Sequence, residues 1–424
     1  MTGTDRPDAG VRRDFWLLWS TSTASNLGDG IRLTALPLLA VAITTDPLAI
    51  GAVTAASFAP WLLFALVGGA VADRVDRRRL ILVGQVARAA AVGGFAALVA
   101  ADRAGLAAVY AIALVIGVGE VVVDSALQAA VPHVAGGDLE RANSRLSSAQ
   151  LLANDVIGGP LGGVLFTVAP AIPFAVDAGS FALGVVLVGV MVTPLQAPAE
   201  PVEAAGAAGG GRVGGSSMRA DIAEGVRFLL AHRLLAGLAG AVALSNLADA
   251  AVKGLLVLLV VDRLGAADAV FGLVLAAGAV GGFVGAANAG RLTGAAGRRP
   301  VLVGSFLALG AGNAVIASAP RPELVAAGSF VAMFAVGSFN VTNSSIRQRV
   351  TPDRLLGRVV ASSRLPAFGA VPIGGLGGGA LARVIGLRPT LGVAAAVSLA
   401  IAALVARVTA GHDLEHLETF PGPA

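Results

Sequence analysis

The chain has 424 residues, 56% of them hydrophobic and 13% charged, with a mean hydropathy of +0.82. That balance excludes an ordinary soluble globular protein of this length. The sequence pI of 10.7 does not point to nucleic acid, because the net charge is only +4 and most arginines fall in short gaps between apolar runs, the pattern of membrane-protein loops held inside by positive charge. There is no Cys, so disulfides and thiolate metal sites are excluded, and neither a metal nor a cofactor is expected.

The N-terminus is polar up to Asp14, with Arg12 and Arg13 ahead of the first apolar run. That run is too long for a signal peptide and lacks a small-residue cleavage site, so it reads as a retained first span. About 20 apolar residues cross a bilayer core. On that basis the sequence predicts twelve spans, at 15–43, 47–72, 79–101, 106–131, 146–168, 172–193, 234–261, 269–291, 299–319, 323–346, 361–384 and 388–408. The first is overlong and contains Pro37, which predicts a tilt or kink.

Gln196 to Ser217 is mostly Ala, Pro and Gly and reads as a flexible linker. Met218 to His232 alternates charged with apolar residues and predicts a short amphipathic helix on the membrane surface. Of the four histidines, His133 and His232 fall in a loop or near a helix start, and His412 and His416 read as solvated in a polar tail. The expected organisation is an N-terminal six-helix half (1–193), a cytoplasmic linker with its amphipathic helix (194–233), a C-terminal six-helix half (234–408) and a cytoplasmic tail (409–424). Arginines cluster after spans two, four, eight and ten. The positive-inside rule therefore places both termini and the linker in the cytoplasm of a multi-pass cell-membrane protein.

The chain repeats itself. Ser25-Asn26-Leu27-Gly28-Asp29 recurs as Ser245-Asn246-Leu247-Ala248-Asp249, 220 positions on, with Arg32 after the first copy and Lys253 after the second. Gly117, Gln128 and Pro132 recur as Gly337, Gln348 and Pro352, and Gly69 with Arg77 and Arg78 recurs as Gly290 with Arg298 and Arg299, 221 apart. The fold class is thus an all-α membrane protein of twelve transmembrane helices in two pseudo-symmetric halves, with a site expected at the midplane where they meet.

Charges inside spans mark candidate chemistry, since each costs about 2.5–3.5 kcal/mol at mid-membrane on insertion scales. Glu120, Asp124 and Gln128 in span four are spaced i, i+4, i+8 and form one stripe about 12 Å long. Two carboxylates one turn apart in low dielectric resist double ionisation, which suits a proton carrier. The alternative is that they hydrogen-bond neighbouring helices. The second half carries Asn340, Ser344 and Gln348 on the same stripe. Asp29 with Arg32, and Asp249 with Lys253, can pair on one helix face. Lys253 is the only lysine. Each pair reads either as a locked helix interface or as a contact that breaks and re-forms between states. Arg88, Asp155, Asp177 and Arg364 also lie in spans but lack a matched partner in the other half, and carry less weight as relay members.

Gly69-Ala70-Val71-Ala72-Asp73-Arg74-Val75-Asp76-Arg77-Arg78 resembles the signature loop between spans two and three of the major facilitator superfamily. Asp76 stands where the family usually has Gly, and the DRxDRR form is similar to the branch of macrolide-efflux proteins and the enterobactin exporter. The resemblance implies that Gly69, Asp73, Arg74, Arg77 and Arg78 form a cytoplasmic charge latch; the alternative for the arginines is topology alone. Gly158-Gly159-Pro160-Leu161-Gly162-Gly163 resembles the family's antiporter signature, one residue off its usual spacing. Gly159, Pro160, Gly162 and Gly163 also read as close helix packing. The arginine that drug antiporters often carry in span four is missing between Val115 and Gly119.

These readings predict no enzyme, no nucleic-acid partner and a monomer in the lipid bilayer. The expected function is proton-coupled export of small amphipathic molecules of drug, macrolide or siderophore class, by alternating access. Asp29, Arg32, Glu120, Asp124, Gln128, Asp249, Lys253 and Asn340 are the candidate substrate and proton-coupling residues. An importer or uniporter of the same fold, or a non-transporting binding or assembly protein, are the alternatives.

Overall fold

In the computed structural model, residues 9–135, 138–193, 195 and 218–415 are described. The linker 196–217 and His416 lie outside them. The helices are α1 (Ala9–Ile43), α2 (Pro47–Arg74), α3 (Arg77–Ala100), α4 (Leu106–Val134), α5 (Leu139–Val168), α6 (Ile172–Gly189), the short α7 (Met218–Ala231), α8 (Arg233–Arg263), α9 (Asp268–Ala296), α10 (Arg298–Ser318), α11 (Pro322–Val350), α12 (Asp353–Ile385) and α13 (Leu387–Thr409). Among the described residues eleven helices are long and apolar enough to cross a membrane, and Gly369–Ile385 within α12 is a shorter apolar stretch. Together they account for the twelve predicted spans. A bilayer offers no partner for unpaired backbone groups, so long apolar runs must close their hydrogen bonds internally as helices.

The ends follow local chemistry. Asp76 caps α3 by accepting from Arg79 N at 3.0 Å, and Asp138 caps α5 by accepting from Arg141 N at 2.9 Å. Pro173 and Pro322 sit in first turns, where the missing N–H costs nothing. α1 continues through Pro37. Boundaries run beyond expectation at several ends, with α1 starting at Ala9 and α9 continuing to Ala296. α5 starts at Leu139 and α12 at Asp353, so Arg141, Arg145, Arg354 and Arg358 lie on helices rather than in gaps.

α5 also holds an unforeseen π-helical segment, Leu151–Gly158. Its wider turn passes Gly30 of α1, where a Cβ would collide with the Asn154 carbonyl. π segments of this kind mark functional stretches of helices. A second one, Leu258–Arg263, ends α8.

The chain forms two compact units. The first comprises residues 1–45, 56–199 and 265–276; the second 46–55, 200–264 and 277–424. In the first, α1 packs on α4, α5 and α6, and α3 packs on α4 and α6. In the second, α8 packs on α12 and α13, and α10 packs on α11 and α13. The repeat therefore governs packing as well as sequence: α1 with α5 and α6 in one unit matches α8 with α12 and α13 in the other. Buried Asp14 closes the first unit by accepting from Val192 N at 2.9 Å and Thr193 N at 2.6 Å.

α7 falls where the alternation predicted, and part of its apolar side packs on protein. Phe228 and Leu229 are buried in the core of the second unit, whereas Leu230 points out. Gly225 permits this, since a Cβ there would stand 2.6 Å from the Arg358 carbonyl of α12. Glu224 pairs with the Arg358 guanidinium. His412 is likewise not solvated. It is half-buried, with its ring 6.5 Å from that of His232.

Candidate functional site

The site grows from the repeated segment on α1. Helical spacing sets Asp29 and Arg32 on one face, and Arg32 Nη2 donates to Asp29 Oδ1 at 2.8 Å. From α3, Arg88 Nη2 donates to both oxygens of the same carboxylate, at 2.8 and 3.0 Å. The Arg88 guanidinium lies 3.9 Å over the Phe181 ring of α6. Gly119 of α4 makes room for its stem, because a Cβ there would sit 2.9 Å from Arg88 Cγ.

Two further helices bring carboxylates to Arg32. Asp177 Oδ2 of α6 stands 3.1 Å from Arg32 Nε, and Glu120 Oε2 of α4 stands 3.7 Å from Arg32 Nη2. Asp124, one turn beyond Glu120, lies within electrostatic reach of Arg88. Asp29, Arg32, Arg88 and Asp177 are all buried, while the Glu120 side chain is 24% exposed. Gln85 of α3 extends the network by donating to Ser25 Oγ at 2.9 Å.

The accounting is uneven. Four carboxylates (Asp29, Glu120, Asp124, Asp177) meet two guanidiniums (Arg32, Arg88), so full ionisation leaves a formal excess of two negative charges. Asp29 accepts three hydrogen bonds. Neither oxygen of Asp177 has a hydrogen-bond partner among the described residues, because its approach to Arg32 Nε is close but misaligned. A buried carboxylate left without hydrogen bonds is costly, and in membrane segments such groups accompany ion and substrate paths.

The second unit carries a looser version. Asp249 Oδ2 pairs with Lys253 Nζ at 2.9 Å, but the two side chains are 29% and 51% exposed. Asn246 donates to the Ala367 carbonyl of α12 at 3.0 Å. Beside it an open recess of about 330 Å³ lies among α8, α10 and α11, walled in part by Ser245, Asn246, Phe306, Phe339 and Asn340.

The stripe on α4 divides. Glu120 reaches Arg32 and Asp124 interacts electrostatically with Arg88, whereas Gln128 is exposed. Arg88 and Asp177, which lack a matched partner in the repeat, meet Asp29 and Arg32 across helices instead. Gly28 was the available signal. A Cβ there would collide with Asp177 Oδ1 and Ser180 Oγ, and the second copy has Ala248 instead.

The arginines of the loop after α2 are engaged locally. Arg77 Nη1 donates to His133 Nε2 of α4 at 3.2 Å, which requires the ring proton on Nδ1. Arg78 Nη2 donates to the Gly189 carbonyl of α6 at 2.6 Å. The side chains of Asp73 and Arg74, and the surroundings of Gly69, lie outside the described residues, as does the Arg364 side chain. The glycine motif of α5 sits at helix crossings. A Cβ on Gly162 would stand 2.6 Å from the Ile31 carbonyl, and one on Gly163 2.8 Å from the Asp268 carbonyl. A Cβ on Gly272 would stand 3.0 Å from Pro160 Cα, and Gly159 faces the same turn of α9. No group of three or more His, Asp or Glu able to hold a metal ion occurs among the described residues.

A family model described as "transmembrane secretion effector" matches residues 9–423. The chain is 26% identical to the multidrug efflux pump Tap of Mycolicibacterium fortuitum, over 88% of this chain and 90% of that one. It is 28% identical to the Tap pump of Mycobacterium tuberculosis, over 95% and 94%. Among solved structures, the nucleoside transporter NupG superposes with a TM-score of 0.73, covering 94% of this chain and 100% of that one at 13% identity, a likeness of fold alone.

Proposed function

Because the chain belongs to the transmembrane secretion effector family of the major facilitator superfamily, a family of membrane transporters rather than enzymes, we propose that it is a proton-coupled exporter of small amphipathic molecules. The observation that carries this reading is the buried cluster on α1, α3, α4 and α6, where acids outnumber arginines by two. Such a cluster is held at lowest cost when protons or a cationic substrate neutralise the excess. The relatives named multidrug efflux pumps support export and a drug-like cargo. The narrower resemblance to macrolide-efflux proteins and the enterobactin exporter rests on the DRVDRR loop, and it adds macrolides and siderophores to the candidate substrates.

In this reading Asp29 is the fixed counter-ion of Arg88 and Arg32. Glu120 and Asp124 exchange protons, and Gln128 continues their polar track. Asp249, Lys253 and Asn340 serve the substrate in the second half. Gly69, Asp73, Arg74, Arg77 and Arg78 act as a conformational latch, and Gly159, Pro160, Gly162 and Gly163 keep helices close enough to slide. Two halves, 1–193 and 234–408, alternate access to the cargo. The protein works as a monomer in the cell membrane, with both termini and the linker 194–233 in the cytoplasm.

The test is transport in proteoliposomes under an imposed pH gradient. The panel comprises tetraphenylphosphonium as amphipathic cation, a macrolide and a siderophore. Gradient-driven movement of any of them that is lost in Glu120→Gln with Asp124→Asn is the expected result. Undiminished pH-driven transport in that variant would remove these acids as proton carriers, and movement indifferent to the gradient would remove proton coupling.

A further inference from the structure

The two halves cap the same helix by different means. In the first, Asp76 immediately precedes α3 and its carboxylate accepts from Arg79 N. The 221-residue repeat puts Gly297 where Asp76 stands and Gly294 where Asp73 stands. α10 therefore begins at Arg298 behind a glycine at φ +85°, with no side chain available to cap it. First-turn amides have no acceptor inside their own helix, so an uncapped start must find one elsewhere.

The acceptor comes from the far end of the chain. After α13 ends at Thr409 the backbone turns at Gly411 (φ +83°) and returns. Leu414 is buried in the same core cluster as Phe228 and Leu302. Glu415 Oε1 then accepts from Arg298 N at 2.7 Å, and Oε2 pairs with Arg298 Nη1 at 2.8 Å. The same Nη1 donates to the Leu414 carbonyl at 2.7 Å. Asp413 Oδ1 shapes the turn by accepting from Glu415 N at 3.0 Å.

We propose that residues 410–415 form a releasable strap, which supplies from the C-terminal tail the capping carboxylate that the second half's loop lacks and whose docking governs how freely the start of α10 moves. A cap one residue from its helix cannot leave without unfolding the turn. A cap delivered by a returning tail can leave while α10 stays helical. Besides buried Leu414, it is held through Arg298 at the surface, by an ion pair whose acid is 49% exposed, and pairs open to solvent are sensitive to salt. Release would free the loop between α9 and α10, the counterpart of the signature loop after α2. The consequence for transport rests on the export reading, whereas the strap itself does not.

The experiment is hydrogen exchange on the full chain in lipid nanodiscs, comparing the parent with Glu415→Ala and Asp76→Ala. Because Arg298 N has a Glu415 oxygen as its acceptor, Glu415→Ala should speed its exchange about fivefold and leave residues 76–80 unchanged. Asp76→Ala should do the reverse. Unchanged exchange at Arg298 in Glu415→Ala would overturn the strap. Since Glu415 lies at the surface, loss of folding is not a concern. The second readout is the initial rate of tetraphenylphosphonium efflux, expected to differ between parent and Glu415→Ala. Equal rates would overturn the governing role and leave a static cap. A parent that moves no probe would instead overturn the export reading, and the exchange result would still decide the strap.

Discussion

Gly28 on α1 lies directly beneath the carboxylate of Asp177 on α6, where a Cβ would collide with Asp177 Oδ1 and with the Ser180 hydroxyl. The bare backbone is what lets an acid of the sixth helix sit beside Arg32. Gly28→Ala should therefore cost about 1–3 kcal/mol, as overpacking of a tight interior does. It should also separate Asp177 from Arg32. A thermal melt of the purified protein reads the loss. An unchanged midpoint would show that α6 yields freely at this crossing.

Arg88 and Asp29 should behave as one unit. Removing either partner breaks a buried, hydrogen-bonded ion pair, so Arg88→Gln or Asp29→Asn alone should destabilise by about 3–5 kcal/mol. The double variant should lose less than the sum of the two, because the Arg88–Asp29 contact can be lost only once. A double-mutant cycle on detergent-solubilised protein measures the coupling. Strict additivity of the two single losses would contradict the bidentate contact.

Asp249 and Lys253 should give the opposite result. Their pair is open to solvent or cargo, and exposed pairs contribute at most about 1 kcal/mol. Lys253→Gln is expected to leave the melting midpoint nearly unchanged while altering which members of the substrate panel are carried. A large loss of stability without a change in substrate profile would make Lys253 a structural residue.

Acid should loosen the strap. The pKa of His232 is held below the ordinary imidazole value, first by burial and second by the charge of His412. The docked state therefore binds fewer protons than the released one. Its contribution is complete above the ordinary value of about 6.5 and is lost as the pH falls below it. Arg233 follows His232 and Asp413 follows His412 in the chain, and the Arg298–Glu415 pair closes the same strap. Exchange at the Arg298 amide, corrected for its intrinsic pH dependence, should rise between about pH 7.5 and pH 5.5. His412→Gln should flatten that rise. A flat profile in the parent protein would exclude the histidines from docking.

The spans, the repeat and the Asp29–Arg32 pair were legible because each is written locally. Apolar length, a 220-residue echo and an i, i+3 spacing need no knowledge of neighbours. Glu120 and Asp124 were legible for the same reason, as two acids on one helical face. Arg88 and Asp177 were not, because what makes them matter is a crossing between helices far apart in sequence. The extent of α7 was legible from its alternation, but its packing was not. An amphipathic pattern fits a lipid surface and a protein groove equally, and only the structure shows Phe228 and Leu229 buried and Gly225 against the Arg358 carbonyl. His412 was misread because a short polar tail gives no sign that Leu414 will be buried.

The buried network also sets an order of assembly. α1 emerges first during synthesis, already carrying Asp29 and Arg32 into an apolar span. Arg88 arrives two helices later, Glu120 with the next, and Asp177 only with α6. Until then the acid-bearing face of α1 has an incomplete set of partners, and a chain cut after α5 would lack both Asp177 and the Phe181 ring beneath Arg88. The stretch from α1 to α6 is thus the smallest nascent piece that holds the whole network around Asp29 and Arg32. Ribosomes stalled between α5 and α6 should leave a product open to quality-control proteolysis, and stalling past Gly189 should protect it.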